Sequence, residues 1–169
     1  MDLVTALAVS IGLLGGVATY LYLSDFLALG LQIWAAFIAW ASFYHCGGKI
    51  QGFTSSILAN LWGVVWGALT LIAFSNLDFG LAAPIWAGIC VAIGVGLMVL
   101  GAKIPIFSAI PASVYGYAAT VAFALLTNSV AGLVDPTLAN PAVVIALSMI
   151  GGAIFGLISE ALAGALAKS

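Results

Sequence analysis

What the sequence has least of is charge. Its 169 residues include three lysines, no arginine, one histidine and five acids, for a formal net charge of −2. A soluble domain covers its surface with about a quarter charged residues, so a water-solvated fold is excluded. The chain also lacks a basic patch, and without one nucleic-acid binding has no electrostatic basis. Cysteine is nearly as sparse. Cys46 and Cys90 lie in or beside apolar runs, at a spacing that suits neither a disulfide nor a zinc site, and read as small buried thiols. Metal ligands are too few to form a site, and no acid, base and nucleophile converge as an enzyme requires. Neither a metal, a cofactor nor catalysis is expected. The first apolar run has no positively charged stretch ahead of it, so it reads as a retained span and not as a cleaved signal peptide.

What is present is almost entirely apolar: 65% of residues are hydrophobic and the mean hydropathy is +1.32. With lipid as solvent, only helices and closed barrels satisfy the backbone. Barrel strands alternate polar and apolar residues, whereas these apolar runs continue for about 20 residues, the length of a helix crossing the bilayer. The expected fold is all-α and polytopic, one integral membrane domain over 1–169 with six transmembrane helices near 3–23, 26–46, 53–74, 81–101, 106–126 and 141–165. Lys49, Lys103 and Lys168 then fall on one side and Asp25, Asp78 and Asp135 on the other. Positive residues stay cytoplasmic, which predicts cytoplasmic N- and C-termini.

The stretch Gly47–Gly67 (GGKIQGFTSSILANLWGVVWG) has weakened copies on either side. Gly12 and Gly16 in span 1, Gly63 and Gly67 in span 3, and Gly116 and Thr120 in span 5 share a small-x-x-x-small spacing. The run GGKI before Phe53 recurs as GAKI before Phe107. This predicts three tandem two-helix units, about 1–50, 51–104 and 105–169, in a pseudo-threefold arrangement with the odd-numbered spans packed together. Small residues let membrane helices approach closely, and Gly152 with Gly156 offers the same face in span 6. These glycines read either as helix contacts or as the floor of a narrow solute path.

Polar groups at membrane depth are functional candidates because their burial is costly. Asn60 and Ser56 in span 3 and Ser113 and Tyr115 in span 5 form such a set, with Trp62 and Trp66 as apolar walls. Asn60 also reads as a hydrogen-bonding link between helices, and the tryptophans as bundle packing. His45, the one histidine, ends span 2, where it serves either the helix dipole or a proton relay. Glu160 is expected at the interface, solvated, leaving no acid at depth for ion coupling. Asn140-Pro141-Ala142 occurs once, as cap and first turn of span 6, and a single copy argues against an aquaporin. Pro111 near the start of span 5 makes Ile110 to Tyr115 a second functional stretch, since broken helices form transporter sites.

The segments FYHCGGKIQGF, SSILANLWGVVWG and IPASVYGYAATVAFAL resemble the small six-span inner-membrane family of unknown function typified by YcdZ. The resemblance covers most of the chain. It implies a bacterial inner-membrane location and supplies no functional residues.

Two functions are expected from these features. One is a passive channel or facilitator for a small uncharged or weakly polar solute, working as a homo-oligomer in the bilayer. The other is a non-transporting accessory or scaffold subunit that docks through the same small-residue faces.

Overall fold

The structure is a computed structural model and describes residues 1–25 and 27–167. Lys168, one of the three lysines that set the sidedness, lies outside the described residues. Among those residues there are six α-helices and no strand: α1 Leu3–Leu23, α2 Ile33–His45, α3 Lys49–Asn76, α4 Ala83–Leu100, α5 Ile110–Leu126 and α6 Pro141–Ala167. Short 3-10 turns follow α4 and α5. Four stretches, Leu3–Leu23, Lys49–Asn76, Ala83–Lys103 and Pro141–Ala167, are long and apolar enough to cross a membrane.

The helix ends follow local chemistry. Asp2 caps α1, accepting from Thr5 N at 3.0 Å and from the Thr5 hydroxyl, and these bonds hold its carboxyl below the ordinary value. Asn140 caps α6, its Oδ1 accepting from Ala142 N at 2.9 Å. One expectation fails: the second helix begins at Ile33, not near residue 26. Asp25 and Ala28 take positive φ, and Asp25 Oδ1 accepts from Leu29 N and Gly30 N, closing a loop that hydropathy alone reads as helix. With 13 residues, α2 is only about 20 Å long.

Two close crossings build the bundle. On α3, a Cβ at Gly63 would lie 2.7 Å from Tyr117 N and 2.8 Å from the Ser113 carbonyl carbon; one at Gly67 would lie 2.9 Å from Tyr117 O. On α6, a Cβ at Gly152 would lie 2.6 Å from the Ala36 carbonyl carbon, and one at Gly156 2.8 Å from the Phe43 ring. The small-residue faces therefore bring α3 onto α5 and α6 onto α2, backbone to backbone. Gly12 and Gly16 have no protein atom within 4 Å of such a Cβ. Helix α1 packs on α6, where Tyr22 OH donates to Ser148 O, and not on α3 or α5. The pseudo-threefold cluster of odd-numbered helices is thus corrected.

A different internal relation replaces it. Every buried position of α2 has a buried counterpart in α5: Ala35 with Ala112, Ala36 with Ser113, Ala39 with Gly116, Trp40 with Tyr117, Ser42 with Ala119, Phe43 with Thr120. The buried face of α3 maps in the same way onto α6, pairing Gly52 with Pro141, Ser56 with Ile145, Ala59 with Ser148, Asn60 with Met149, Gly63 with Gly152, Val64 with Ala153, Gly67 with Gly156 and Thr70 with Ser159. The crossings obey the same correspondence, because Gly63 meets Ser113 where Gly152 meets Ala36, and Gly67 meets Thr120 where Gly156 meets Phe43. Both α2 and α5 begin at corresponding residues, Ile33 and Ile110.

Chain direction shows that the two halves are inverted. Helix α6 runs parallel to α2, as Gly152 with Ala36 and Gly156 with Phe43 require, and α3 runs parallel to α5. Helix α3 runs antiparallel to α2, with Ser42 bonded to Asn60 beyond the turn that joins them. So α3 and α6 point opposite ways, and α1–α3 is related to α4–α6 by a two-fold axis across the helices. Between the halves, Ala35, Ala39, Val64, Ala119, Ile145 and Met149 form a dry core.

Glu160 is also corrected. It is half-buried, and its Oε2 accepts from Lys49 N at 2.7 Å, capping α3 from α6 across a turn in which Gly47, Gly48 and Lys49 all have positive φ. Glu160→Ala would leave that first amide of α3 without its acceptor. A loss of about 1 kcal/mol is expected, with Glu160→Gln recovering part of it, read as thermal unfolding in detergent. Equal melting of Glu160→Ala and the parent would refute the cap.

Candidate functional site

The candidate polar residues are sorted by the helices that carry them. Ser113 enters the interior because Pro111 starts α5 one turn earlier, and Gly116 lets α5 close onto Asn60: a Cβ there would lie 2.8 Å from the Asn60 carbonyl carbon. Asn60 and Ser113 therefore sit at the same crossing, 1% and 2% exposed. The Ser42 hydroxyl donates to Asn60 Oδ1 at 3.1 Å, which leaves the Asn60 amide nitrogen without a partner in the protein. Ser113 Oγ is likewise unpartnered. Ser56, fully buried one turn earlier, donates to Phe53 O within its own helix.

Buried polar atoms are nearly always paired, and here the exceptions are not scattered. Among the described residues the four buried side-chain atoms without a partner are Asn60 Nδ2, Trp66 Nε1, Ser113 Oγ and Tyr117 OH. All four lie on α3 or α5. The corresponding crossing of α2 with α6 is fully paired: Trp40 Nε1 donates to Ser159 Oγ at 2.9 Å, Tyr44 OH bonds the same oxygen at 2.8 Å, and Ser159 donates to Gly156 O. One crossing is thus a finished structural joint. Its counterpart has hydrogen-bonding capacity left over.

A polar cleft of about 260 Å³ opens beside this crossing, lined by His45, Cys46, Ser55, Ser108, Ala109, Pro111 and Ala112. His45 Nδ1 and Tyr115 OH share a hydrogen bond of 3.0 Å at its edge, joining α2 to α5. Lys49 and Lys103 belong to the same end of the bundle, since α3 and α4 are antiparallel: Trp86 near the start of α4 donates to Phe74 O near the end of α3, and Trp62 midway along α3 donates to Met98 O near the end of α4. The N-terminal amine reaches Leu166 O, so the described ends of the chain meet at that end too.

The structure thus brings together Asn60, Ser113, Ser56, Tyr115 and His45, and separates Trp62. Trp62 stacks on Phe107 at 4.5 Å and donates to Met98 O at 2.9 Å, so it packs α3 against α4 and walls no path. Trp66 faces the same neighbour, beside Thr70, Cys90 and Gly94, with its indole nitrogen unpartnered. Ser42 is the residue that sequence reasoning missed. The available signal was a lone hydroxyl one turn before His45 in an otherwise apolar, aromatic helix. No group of three or more His, Cys, Asp or Glu that could hold a metal occurs among the described residues.

No curated protein matches this chain, and no solved structure does. A family model described as "Protein of unknown function (DUF1097)" matches residues 8–164, and the chain belongs to that family.

Proposed function

We propose that the protein is a passive facilitator for a small uncharged or weakly polar solute across the bacterial inner membrane. On this reading six helices cross the membrane, both termini are cytoplasmic, and the polar cleft is the cytoplasmic mouth. Six spans and an inner-membrane location are also what the resemblance to the family typified by YcdZ implies. The observation that carries it is the confinement of the unpartnered buried polar atoms to α3 and α5, with Asn60 and Ser113 at the crossing beside that cleft. Groups buried at membrane depth without partners are costly, and a passing solute or water supplies what the fold withholds. The groups left over are an amide N–H, an indole N–H and two hydroxyls, and none is a charged acceptor. They favour a neutral solute carrying a carbonyl or hydroxyl oxygen and offer no negative charge to balance a cation.

The test is stopped-flow light scattering on proteoliposomes challenged with urea, glycerol, ammonium and short-chain acids. Re-swelling at least tenfold faster than empty liposomes is expected for one neutral solute. Traces matching empty liposomes for all of them would reject the reading.

A second reading, the accessory or scaffold subunit, has its own observation. Gly12 and Gly16 on α1, and Gly88 and Gly96 on α4, have no protein atom near them. Small open faces of this kind suit helix docking, to a partner or to another copy. A stoichiometric partner that survives purification would favour it.

A further inference from the structure

We propose that the chain has a second mouth, closed in this structure, and that the two mouths open alternately, making the protein a carrier and not a continuously open channel. This rests on the facilitator reading for its solute, the same small neutral molecule, but not for its geometry. The argument starts from the two-fold relation between the halves. An operation that exchanges α2 with α5 and α3 with α6 carries the cleft to the opposite end of the bundle. Cys46 maps to Phe123, Pro111 to Trp34, Ala112 to Ala35 and Ser55 to Val144.

At that location Trp34, Phe123 and Val144 stand in place of Pro111, Cys46 and Ser55, while Ala35 keeps the size of Ala112 and Ala122 stands in place of His45. The rings of Trp34 and Phe123 lie 6.5 Å apart, bridging α2 and α5, and behind them Ala35 is fully buried and Val144 is 5% exposed. What stays open there is an apolar groove on Trp34, Ala119 and Ala122, and the interior behind it is occupied by side chains. Between the two ends lies the buried apolar layer of Ala39, Val64, Ile145 and Met149, which on this proposal keeps the two mouths from being open at once.

Inverted halves with the same helix crossings have two arrangements of nearly equal packing, related by exchanging the conformation of each half. Inverted repeats in membrane carriers use this to rock around a site at their interface. The side chains that shut the second mouth are not covalently tied, and the helices they bridge touch mainly through small residues: Ala119 of α5 and Ala35 and Ala39 of α2.

The experiment reads thiol accessibility with a membrane-impermeant maleimide in sealed vesicles of both orientations. The native Cys46 reports the cleft, with Cys90→Ala removing the other thiol. Ala35→Cys, a near-isosteric change, reports the second mouth, and Val144→Cys is an independent reporter there. The expected result has three parts. Cys46 reacts from one face, each new thiol reacts only from the opposite face, and a bulky adduct on Cys46 slows their reaction at least tenfold. Labelling of both new thiols from the Cys46 face, labelling unaffected by the adduct, or labelling of neither until the protein is unfolded would overturn the proposal. Measured solute flux with any of those outcomes leaves the facilitator reading standing and removes the carrier. Alternating labelling without flux for any solute does the reverse.

Discussion

Gly63→Ala is expected to abolish the folded bundle, or to lower its thermal unfolding midpoint by more than any surface change. The added methyl group would fall far inside van der Waals contact with Ser113 O and within 2.7 Å of Tyr117 N. These are backbone atoms held by helix α5, so no side chain can rotate away. Overpacking a tight interior costs about 1–3 kcal/mol when neighbours can adjust. Here relief requires moving one helix off another, which also uncovers Gly116, whose own Cβ position lies 3.1 Å from Asn60 Cα. A loss of about 3 kcal/mol or more is therefore expected for Gly63→Ala. Gly116→Ala should match it, and the pair should be less than additive because both act on one crossing. Gly152→Ala should be comparably damaging at the α2–α6 crossing. Gly12→Ala and Gly16→Ala, with nothing within 4 Å, are the controls. In these exposed helix interiors alanine has the better helix propensity, so monomer stability should hold or rise slightly. Unfolding measured by fluorescence-detected size exclusion after heating distinguishes the two groups. Equal stability across all of them would show that the crossings are looser than described.

Those controls also mark where sequence reasoning succeeded and where it did not. The spacing of small residues identified Gly63, Gly67, Gly116 and Thr120 as one contact surface, and the structure joins them. The same spacing at Gly12 and Gly16 looks identical in sequence and meets nothing, because a motif states what a helix face permits and not what lies opposite. The bounds of α1 followed from its apolar run, and the cap of α6 was legible because it depends on neighbouring residues, Asn140 with Ala142. The late start of α2 was not, since Leu27, Leu29 and Leu31 keep the stretch apolar while Asp25 folds it into a loop.

The repeat was misread for a related reason. Matching letters such as GGKI and GAKI joined positions that are not equivalent in space. The true correspondence pairs Asn60 with Met149, Ser56 with Ile145 and Phe43 with Thr120, where no letter is shared. What persists through the inversion is burial and close approach, which among the buried pairs side-chain identity records only at Ala35 with Ala112, Gly63 with Gly152 and Gly67 with Gly156. Polarity at depth did point to Asn60, Ser113 and Tyr115, because a polar residue in an apolar run is visible without a structure. The leftover hydrogen-bonding capacity of Asn60 and Ser113 was not, since it depends on which partners the fold supplies.

That leftover capacity leads to the sharpest separation between structural and transporting roles. Asn60→Met, which installs the residue found at the corresponding position in the other half, is expected to lower solute flux at least tenfold without loss of stability. The asparagine gains one bond from Ser42 and leaves its amide nitrogen unpaired in the bundle. A net hydrogen bond is worth about 1 kcal/mol, whereas an unsatisfied buried donor costs about 1–3 kcal/mol. The balance runs against Asn60 as a mere link between α2 and α3. Methionine fits irregular cores and removes the orphan donor, although the Ser42 hydroxyl must then find an acceptor on its own helix. The expected stability is equal to the parent or higher. If instead Asn60 is structural glue, Asn60→Met should melt earlier and carry solute normally per folded molecule. Measuring re-swelling rate and melting temperature on the same preparation decides between them. A tenfold loss of flux is about 1.4 kcal/mol in the barrier, close to one hydrogen bond withdrawn from a solute that has left water. Ser113→Ala removes a single hydroxyl from the same crossing and should produce a smaller fall in flux with the same indifference of stability. If both variants carry solute at the parent rate, the path does not run along α3 and α5, and the unpaired groups there serve some purpose other than transport.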